Sequence, residues 1–120
     1  MSPLLDLVRA VIFTVAVQHG INPDSLDALA RCESTYNPLA VNGQYWGLMQ
    51  LGPAHRARFL AAGYDDVWSA EQQASYTADV IVAEGAGAWE CGRGLDWRVR
   101  VVPEMEQPPG IAHRGLTSEP

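Results

Sequence analysis

Glycine and proline residues divide the first 92 residues of this chain into four segments whose apolar side chains recur at helical spacing. The first predicted helix begins near Leu4 and stops at Gly20. The second begins at Asn22–Asp24, where a capping residue is followed by proline and an acid, and ends by Ser34. Because 120 residues suit one domain, these segments predict a small, mainly α fold.

The middle of the chain predicts a hairpin or ordered loop between the second and third helices. Asn42-Gly43 is the strongest short turn signal in the sequence. A third helix is predicted from Pro53 to Ala62. A fourth starts at Ser69, where Gln72 completes the spacing of a capping box, and continues to Gly85. The fold class is therefore α+β with very little β structure.

The composition changes after Gly92. Prolines and glycines recur from there on, although Val99–Val102 has the pattern of a short strand. We therefore predict one domain over residues 1–92 and a Pro/Gly-rich C-terminal tail over residues 93–120, with Trp97 attaching the tail to the domain. Of the other tryptophans, Trp68 and Trp89 are expected in the core.

The charge balance limits the classes of partner. Eight arginines and no lysine face 14 acidic residues, which gives a net charge of −6. Nucleic-acid binding needs a basic face, so we predict no nucleic-acid partner. The same charge argues against attachment to an anionic membrane. The longest near-apolar run, residues 10–17, is much shorter than the roughly 20 residues that span a bilayer. It follows Asp6 and a lone Arg9, so neither membrane insertion nor a clear signal peptide is predicted.

Glu33 is the candidate for acid–base chemistry. It lies at the predicted C-terminal end of the second helix, where the helix dipole disfavours a carboxylate. Aromatic and apolar neighbours would desolvate it and raise its pKa, as a general acid near neutral pH requires. The neighbours expected from the sequence are Tyr36, Tyr45, Trp46, Leu48 and Met49. Without further information, a solvated surface glutamate is the alternative.

Two motifs around Glu33 add a family resemblance. The segment 30–40 reads ARCESTYNPLA, and the segment 46–51 reads WGLMQL. This order of Glu-Ser, Asn-Pro-x-Ala and Gly-Leu-Met-Gln resembles the soluble lytic transglycosylase family of the lysozyme-like superfamily. The resemblance extends from about Leu4 to Cys91. The chain is similar in particular to short phage and actinobacterial lysozyme-like domains, which have Cys before the Glu and end in Trp-x-Cys.

The resemblance implies site residues as well as a fold. Glu33 matches the single catalytic acid, and Gln73 stands at about the place of a family asparagine. Tyr76 lies at a depth where a family tyrosine supports the acid. Trp46, beside Gly47, would also suit stacking on a sugar ring. The predicted substrate-binding residues are Ser34, Tyr45, Trp46, Gly47, Leu48, Met49, Gln50 and Tyr76.

The implied reaction is cleavage of the β-1,4 bond between N-acetylmuramic acid and N-acetylglucosamine in peptidoglycan. Glu33 would protonate the glycosidic oxygen, the muramoyl N-acetyl group would assist, and a 1,6-anhydro end would form. Such assistance removes the need for a second carboxylate. Asp65 and Asp66 were the candidates for one, and a solvated turn is the more ordinary role of such a pair. No cofactor is implied.

The two cysteines have three interpretations. A Cys32–Cys91 bridge would join the acid-bearing helix to the end of the domain, which suits a chain that acts outside the cytoplasm. Two buried free thiols are the alternative. A zinc site with His19 and His55 has the ligand count but not the usual spacing, so no metal is predicted. His55 was expected either near the sugar cleft or in solvent.

The functional prediction is a wall-degrading lytic transglycosylase. The alternatives are a hydrolytic lysozyme and a non-catalytic wall-binding or virion structural module. The partner is expected to be the glycan strand of peptidoglycan, at the bacterial wall or on a virion. A separate wall-binding or virion module would compensate for the acidic charge, and the chain itself is expected to be a monomer.

Overall fold

A computed structural model describes residues 2–99 of the chain. This part is mainly helical with one small antiparallel sheet, which confirms the predicted lysozyme-like α+β class. The predicted strand over residues 99–102 lies, apart from Val99, outside the described residues, as does most of the tail. The elements in chain order are α1 (Pro3–His19), α2 (Pro23–Ser34), β1 (Val41–Asn42), β2 (Tyr45–Trp46), α3 (Pro53–Ala61) and α4 (Ala70–Glu84), followed by a 3-10 turn at Glu90–Gly92.

The caps of the first two helices follow from their sequences. The Ser2 hydroxyl accepts a hydrogen bond from the Leu5 N–H at the start of α1. Gly20 ends this helix at φ +70, a left-handed conformation that glycine adopts without a steric penalty. The Asn22 side chain accepts from the Asp24 N–H and caps α2. Local side-chain chemistry therefore sets these boundaries.

The fourth helix forms only half of its predicted capping box. The Ser69 hydroxyl accepts from the Gln72 N–H, as expected. The Gln72 side chain, however, accepts from the N–H groups of Asp65 and Asp66 instead of reaching back to Ser69. Gln72 therefore orders the turn before α4. The third helix ends at Ala61, one residue before the predicted end.

The core lies where α1 packs against α2 and α4. Met49 and Phe59 also have no solvent-exposed surface, so the segment after the hairpin and one face of α3 belong to the core. Burial of each large apolar side chain contributes about 1.5–3 kcal/mol. Core residues from the three packed helices are Val8, Ile12, Val15, Ala16, Leu26, Leu29, Ala30, Ala74, Ala78, Val80 and Ile81.

The hairpin is present, but its turn is one residue later than the sequence signal. Val41 pairs with Trp46 and Asn42 pairs with Tyr45, which leaves Gly43 and Gln44 as the turn. Gly43 occupies the first turn position at φ +60, which glycine permits. The hairpin places Tyr45 and the following residues beside the end of α2.

The chain remains packed on the helices beyond residue 92. Leu95 and Trp97 contact the core, and the Trp97 carbonyl accepts a hydrogen bond from the Asn22 N–H at 3.2 Å. The Asp96 carbonyl accepts from the side chains of Asn22 and Ser25. Trp97 therefore anchors the segment after the 3-10 turn to the start of α2. Within residues 2–99, no helix has the length and apolar character needed to cross a membrane.

Candidate active site

An open cavity of about 540 Å³ lies where the end of α2, the start of α3 and the 3-10 turn meet. Three chain segments that are distant in sequence form its wall. Its polar and aromatic lining residues are Glu33, Tyr45, Gln50, His55, Trp89 and Glu90. A volume of this size is in the range of small-molecule sites.

Glu33 reaches the cavity from the last turn of α2. Thr35 and Tyr36 adopt left-handed conformations directly after the helix, with φ of 53 and 64. The Ser34 hydroxyl donates to the Ala30 carbonyl and accepts from the Asn37 N–H, which supports this reversal of the chain. As a result, α2 ends at Glu33 and Ser34, and the Glu33 side chain is half-buried on the cavity wall. Ser34 itself does not line the cavity and acts on the backbone.

Burial raises the pKa of the Glu33 carboxyl above its ordinary value. The negative charge of Glu90 acts in the same direction, and the backbone N–H of Cys91 opposes both. A raised pKa lets a carboxyl carry a proton at a pH where most glutamates are ionised. The site can therefore hold a proton beside a ligand, which is what general acid catalysis requires.

The residues that surround Glu33 differ from those expected. Of the five neighbours that the sequence analysis named, only Tyr45 lines the cavity. The Tyr36 hydroxyl donates to Asp27 instead, and the side chains of Leu48 and Met49 are fully buried in the core. His55, Trp89 and Cys91 line the cavity in their place.

A disulfide joins Cys32 to Cys91, with 6.1 Å between their Cα atoms. It links α2 to the 3-10 turn, so the residues beside each cysteine are held near each other. Glu33 follows one cysteine and Glu90 precedes the other. Because the sulfurs are bonded to each other, they are not available as thiolate ligands for zinc. Within residues 2–99, no three His, Cys, Asp or Glu side chains are grouped so that they could hold a metal ion.

Gln50 connects the cavity to the hairpin. Its Nε2 donates to the Gly47 carbonyl at 2.9 Å, and its Oε1 accepts from Asn42 at 2.8 Å. The residue has φ +54, which is uncommon for a side chain larger than that of glycine or asparagine. These hydrogen bonds hold the strained backbone, and Gln50 lines the cavity.

The geometry and a comparison with protein families now point the same way. Residues 10–80, more than half of the chain, match the model of the family described as "transglycosylase SLT domain". The chain belongs to the transglycosylase SLT domain family. This family acts on peptidoglycan, typically as lytic transglycosylases. No curated protein and no solved structure shows significant similarity to the chain. The SLT match includes Glu33 and Gln50 but ends before Trp89 and Glu90.

Gln73 supports the Gly-Leu-Met-Gln segment of this SLT domain. Its side chain is fully buried, and its Oε1 accepts from the Met49 N–H at 2.8 Å. Its Nε2 donates to the carbonyls of Trp46 and Val67. At Gly47, φ is +88, and a Cβ there would lie 2.0 Å from the Gln73 Nε2. Glycine at position 47 therefore lets the glutamine amide reach this segment.

Trp46 lies outside the cavity wall. Its ring stacks on Trp68 at 5.4 Å between centroids, and the Arg56 guanidinium lies 3.8 Å from its ring centroid. These contacts occupy the ring that the sequence analysis assigned to sugar stacking. Trp68 is 36% exposed, so the prediction that it belongs to the core was wrong. Trp89, in contrast, is buried as expected.

Two further predicted residues contact other residues rather than the cavity. Tyr76 is 3% exposed, and its hydroxyl lies 2.6 Å from Nδ1 of His55, so it reaches the site through that histidine. Gly47 is buried behind Gln50. His55 itself lines the cavity, which was one of its two expected positions.

Glu90 is the acidic residue that the sequence analysis missed. The acidic residues considered from the sequence, Asp65 and Asp66, are exposed and form the turn that Gln72 orders. Glu90 instead enters the cavity beside Glu33. The signal that could have identified it is its place next to Cys91, because a bridge to Cys32 brings the two glutamates to one surface.

Proposed function

We propose that the chain cleaves the β-1,4 bond between N-acetylmuramic acid and N-acetylglucosamine as a lytic transglycosylase, with Glu33 as general acid and then general base. The observation that carries the proposal is a half-buried carboxyl of raised pKa on the wall of an open cavity. Membership of a family that acts on peptidoglycan supplies the substrate class.

The reaction needs one carboxyl that changes its protonation state. Glu33 first donates its proton to the glycosidic oxygen as that oxygen leaves C1 of the muramoyl sugar. The carbonyl oxygen of the sugar's own N-acetyl group bonds to C1 and takes the place of a protein nucleophile. Ionised Glu33 then removes the proton of the C6 hydroxyl, whose oxygen attacks C1 and releases the acetamido group. The product is a 1,6-anhydro end, and Glu33 regains its proton.

Tyr45 and Gln50 are the residues best placed to contact the glycan. Tyr45 is 46% exposed and lines the cavity, so its ring is available to a sugar face. Gln50 lines the same cavity. Leu48 and Met49 have no exposed surface, and their part in binding is to hold the backbone of this segment.

A hydrolytic lysozyme is the second candidate, because Glu90 lies in the same cavity. A second carboxylate near the reacting carbon can activate water, and water would then replace the C6 hydroxyl as nucleophile. The two reactions leave different ends, since the anhydro product is lighter by one water. Mass spectrometry of digested wall separates them.

Work at the bacterial wall is part of this proposal. The acidic charge of −6 provides no attraction to anionic wall polymers. A wall-binding or virion module would supply that attachment, and the SLT domain would act as a monomer on the strand.

The deciding experiment compares Glu33→Gln with the parent on purified peptidoglycan. General acid–base catalysis contributes about 100- to 10,000-fold, so the variant should clear the wall at least about 100-fold more slowly. Glu71→Gln is the matched control, because Glu71 is exposed in the first turn of α4 and away from this cavity. Equal rates for parent and Glu33→Gln would contradict the proposal and favour a non-catalytic wall-binding or structural module.

A further inference from the structure

His55 is held in a fixed orientation on the cavity wall by two buried aromatic residues. Its ring stacks on Trp89 with 5.3 Å between centroids and 28° between planes. Its Nδ1 lies 2.6 Å from the Tyr76 hydroxyl. Trp89 is itself fixed, because its Nε1 donates to the Met49 carbonyl at 2.9 Å. The imidazole therefore has little freedom to tilt or rotate.

The hydrogen bond to Tyr76 determines which ring nitrogen carries the proton. Tyr76 is 3% exposed, and Phe59 and Tyr64 pack against its ring. Within residues 2–99, Nδ1 of His55 is the one side-chain or backbone group within hydrogen-bond distance of the Tyr76 hydroxyl. If Nδ1 carried a proton, the phenolic proton would have no acceptor among these residues, which largely buried hydroxyls avoid. Tyr76 therefore donates to Nδ1, and the proton of the neutral imidazole is on Nε2.

Both members of the pair are neutral near pH 7. Burial lowers the pKa of His55; the charge of Arg58 acts in the same direction, and that of Glu84 opposes it. Burial also raises the pKa of Tyr76. A neutral imidazole matters here, because an imidazolium in the same cavity would favour ionisation of Glu33.

We propose that His55 is a hydrogen-bond donor of the glycan site, in which Nε2–H binds a neutral oxygen of an N-acetylated sugar and Tyr76 fixes the required tautomer. Among the described residues, Nε2 has no hydrogen-bond partner, and the ring lines the cavity that contains Glu33. The identity of the ligand rests on the proposed function, whereas the tautomer does not. His55 lies outside the motifs that carry the family resemblance.

The first test is the tautomer itself, measured by ¹⁵N NMR of the histidine-labelled protein. Nδ1 should report as the unprotonated nitrogen and Nε2 as the protonated one at pH 7 to 8, where the lowered pKa of His55 keeps the ring neutral. Tyr76→Phe should shift His55 toward a mixture of tautomers. Tyr64→Phe is the matched control, because it removes a hydroxyl from the same aromatic cluster that donates to Asp79 instead of His55. An Nδ1–H form in the parent, or an equal effect of the two variants, overturns the proposal.

The second test is binding of N-acetylglucosamine tetrasaccharide to Glu33→Gln protein, which does not consume the probe if Glu33 is the acid. The Nε2 signal of His55 should move on saturation. His19 serves as an internal control, since its ring nitrogens contact Val15 and Asp79. His55→Leu should weaken binding by about 3- to 10-fold, the value of one neutral hydrogen bond. His55→Gln, which retains an N–H donor, should recover most of it.

The outcomes separate this inference from the proposed function. Three results overturn the role of His55. They are an Nε2 signal that does not move on saturation, no binding of the tetrasaccharide, and equal affinity of the Glu33→Gln protein with and without His55→Leu. Full wall-clearing activity of Glu33→Gln overturns the role of Glu33, and the tautomer result then still stands for His55. Backbone spectra of each variant confirm that the comparison is made between folded proteins.

Discussion

Glu33 and Glu90 lie one residue from opposite ends of the Cys32–Cys91 disulfide, and both line the same cavity. This covalent link between α2 and the 3-10 turn brings together two carboxylates that are 57 positions apart in the sequence. The negative charge of Glu90 raises the pKa of Glu33, so the second carboxylate helps the first to keep its proton. The relationship leads directly to a test of Glu90.

Replacement of Glu90 should change the pH profile more than the fold. Burial is the largest cause of the raised Glu33 pKa, and the charge of Glu90 adds to it; in Glu90→Gln this addition is absent, so the alkaline limb of the activity profile should move to lower pH. If Glu90 activates water, the fraction of hydrolysed ends should also fall relative to anhydro ends. Wall digestion across pH, followed by mass spectrometry of the fragments, measures both. Unchanged profiles and unchanged products would show that Glu90 has no part in the chemistry.

The raised pKa of Glu33 predicts a stability difference of known sign. The pKa of Glu33 is higher in the folded protein than in the unfolded chain. The contribution of Glu33 to the free energy of unfolding is therefore fully present at pH values below its unfolded-state pKa. It is lost as the pH rises through the folded pKa. Glu33→Gln stays neutral, so its stability relative to the parent should increase from pH 4 to pH 7. Urea unfolding at both pH values measures this, and an equal difference at the two would contradict a raised pKa.

The helices could be predicted from the sequence because their signals are local. Caps at Asn22 and Ser69 and the stop at Gly20 act within a few residues, and the structure confirms each of them. Glu33 could be selected because a helix end and a family motif coincide there. The placement of the remaining site residues depends on contacts between distant parts of the chain.

The errors in the residues expected around Glu33 share one physical cause. Leu48 and Met49 were expected around Glu33, but their side chains turn into the core, where Gln73 from α4 fixes the backbone. His55 and Glu90 reach the cavity from α3 and from the disulfide-linked turn. No local sequence pattern specifies which of these side chains reach the cavity, because that depends on how α3 and the end of the domain pack against α2.

Loss of the disulfide should destabilise the domain and loosen the cavity together. The chain-entropy estimate for the 59-residue separation is about 4 kcal/mol. The double variant Cys32→Ser/Cys91→Ser should therefore have a free energy of unfolding that is lower by up to about this amount. Denaturant unfolding measures it, and the parent with reductant provides the comparison. A variant as stable as the oxidised parent would show that the bridge does not constrain the unfolded chain.

The same variant should also lose activity under conditions where it remains folded. The 3-10 turn carries Glu90 and forms part of the cavity wall, and the bridge attaches it to α2. Digestion at low temperature, where the folded fraction is high, separates the effect on the site from the effect on stability. Full activity there would mean that noncovalent packing around Trp89 is enough to hold the wall.

Gln73 should be among the polar residues whose replacement costs the most stability. In Gln73→Leu, the Met49 N–H and the carbonyls of Trp46 and Val67 lose their side-chain partners in a buried region. Each unsatisfied buried group costs about 1–3 kcal/mol, so we expect a loss of at least about 2 kcal/mol. Gln18→Leu on α1 is the exposed control. Urea unfolding compares the two variants, and similar small losses of stability would show that the Gln73 amide is not needed.

Gly47→Ala should be destabilising for the matching reason, because the new methyl group would displace the Gln73 amide at a positive φ.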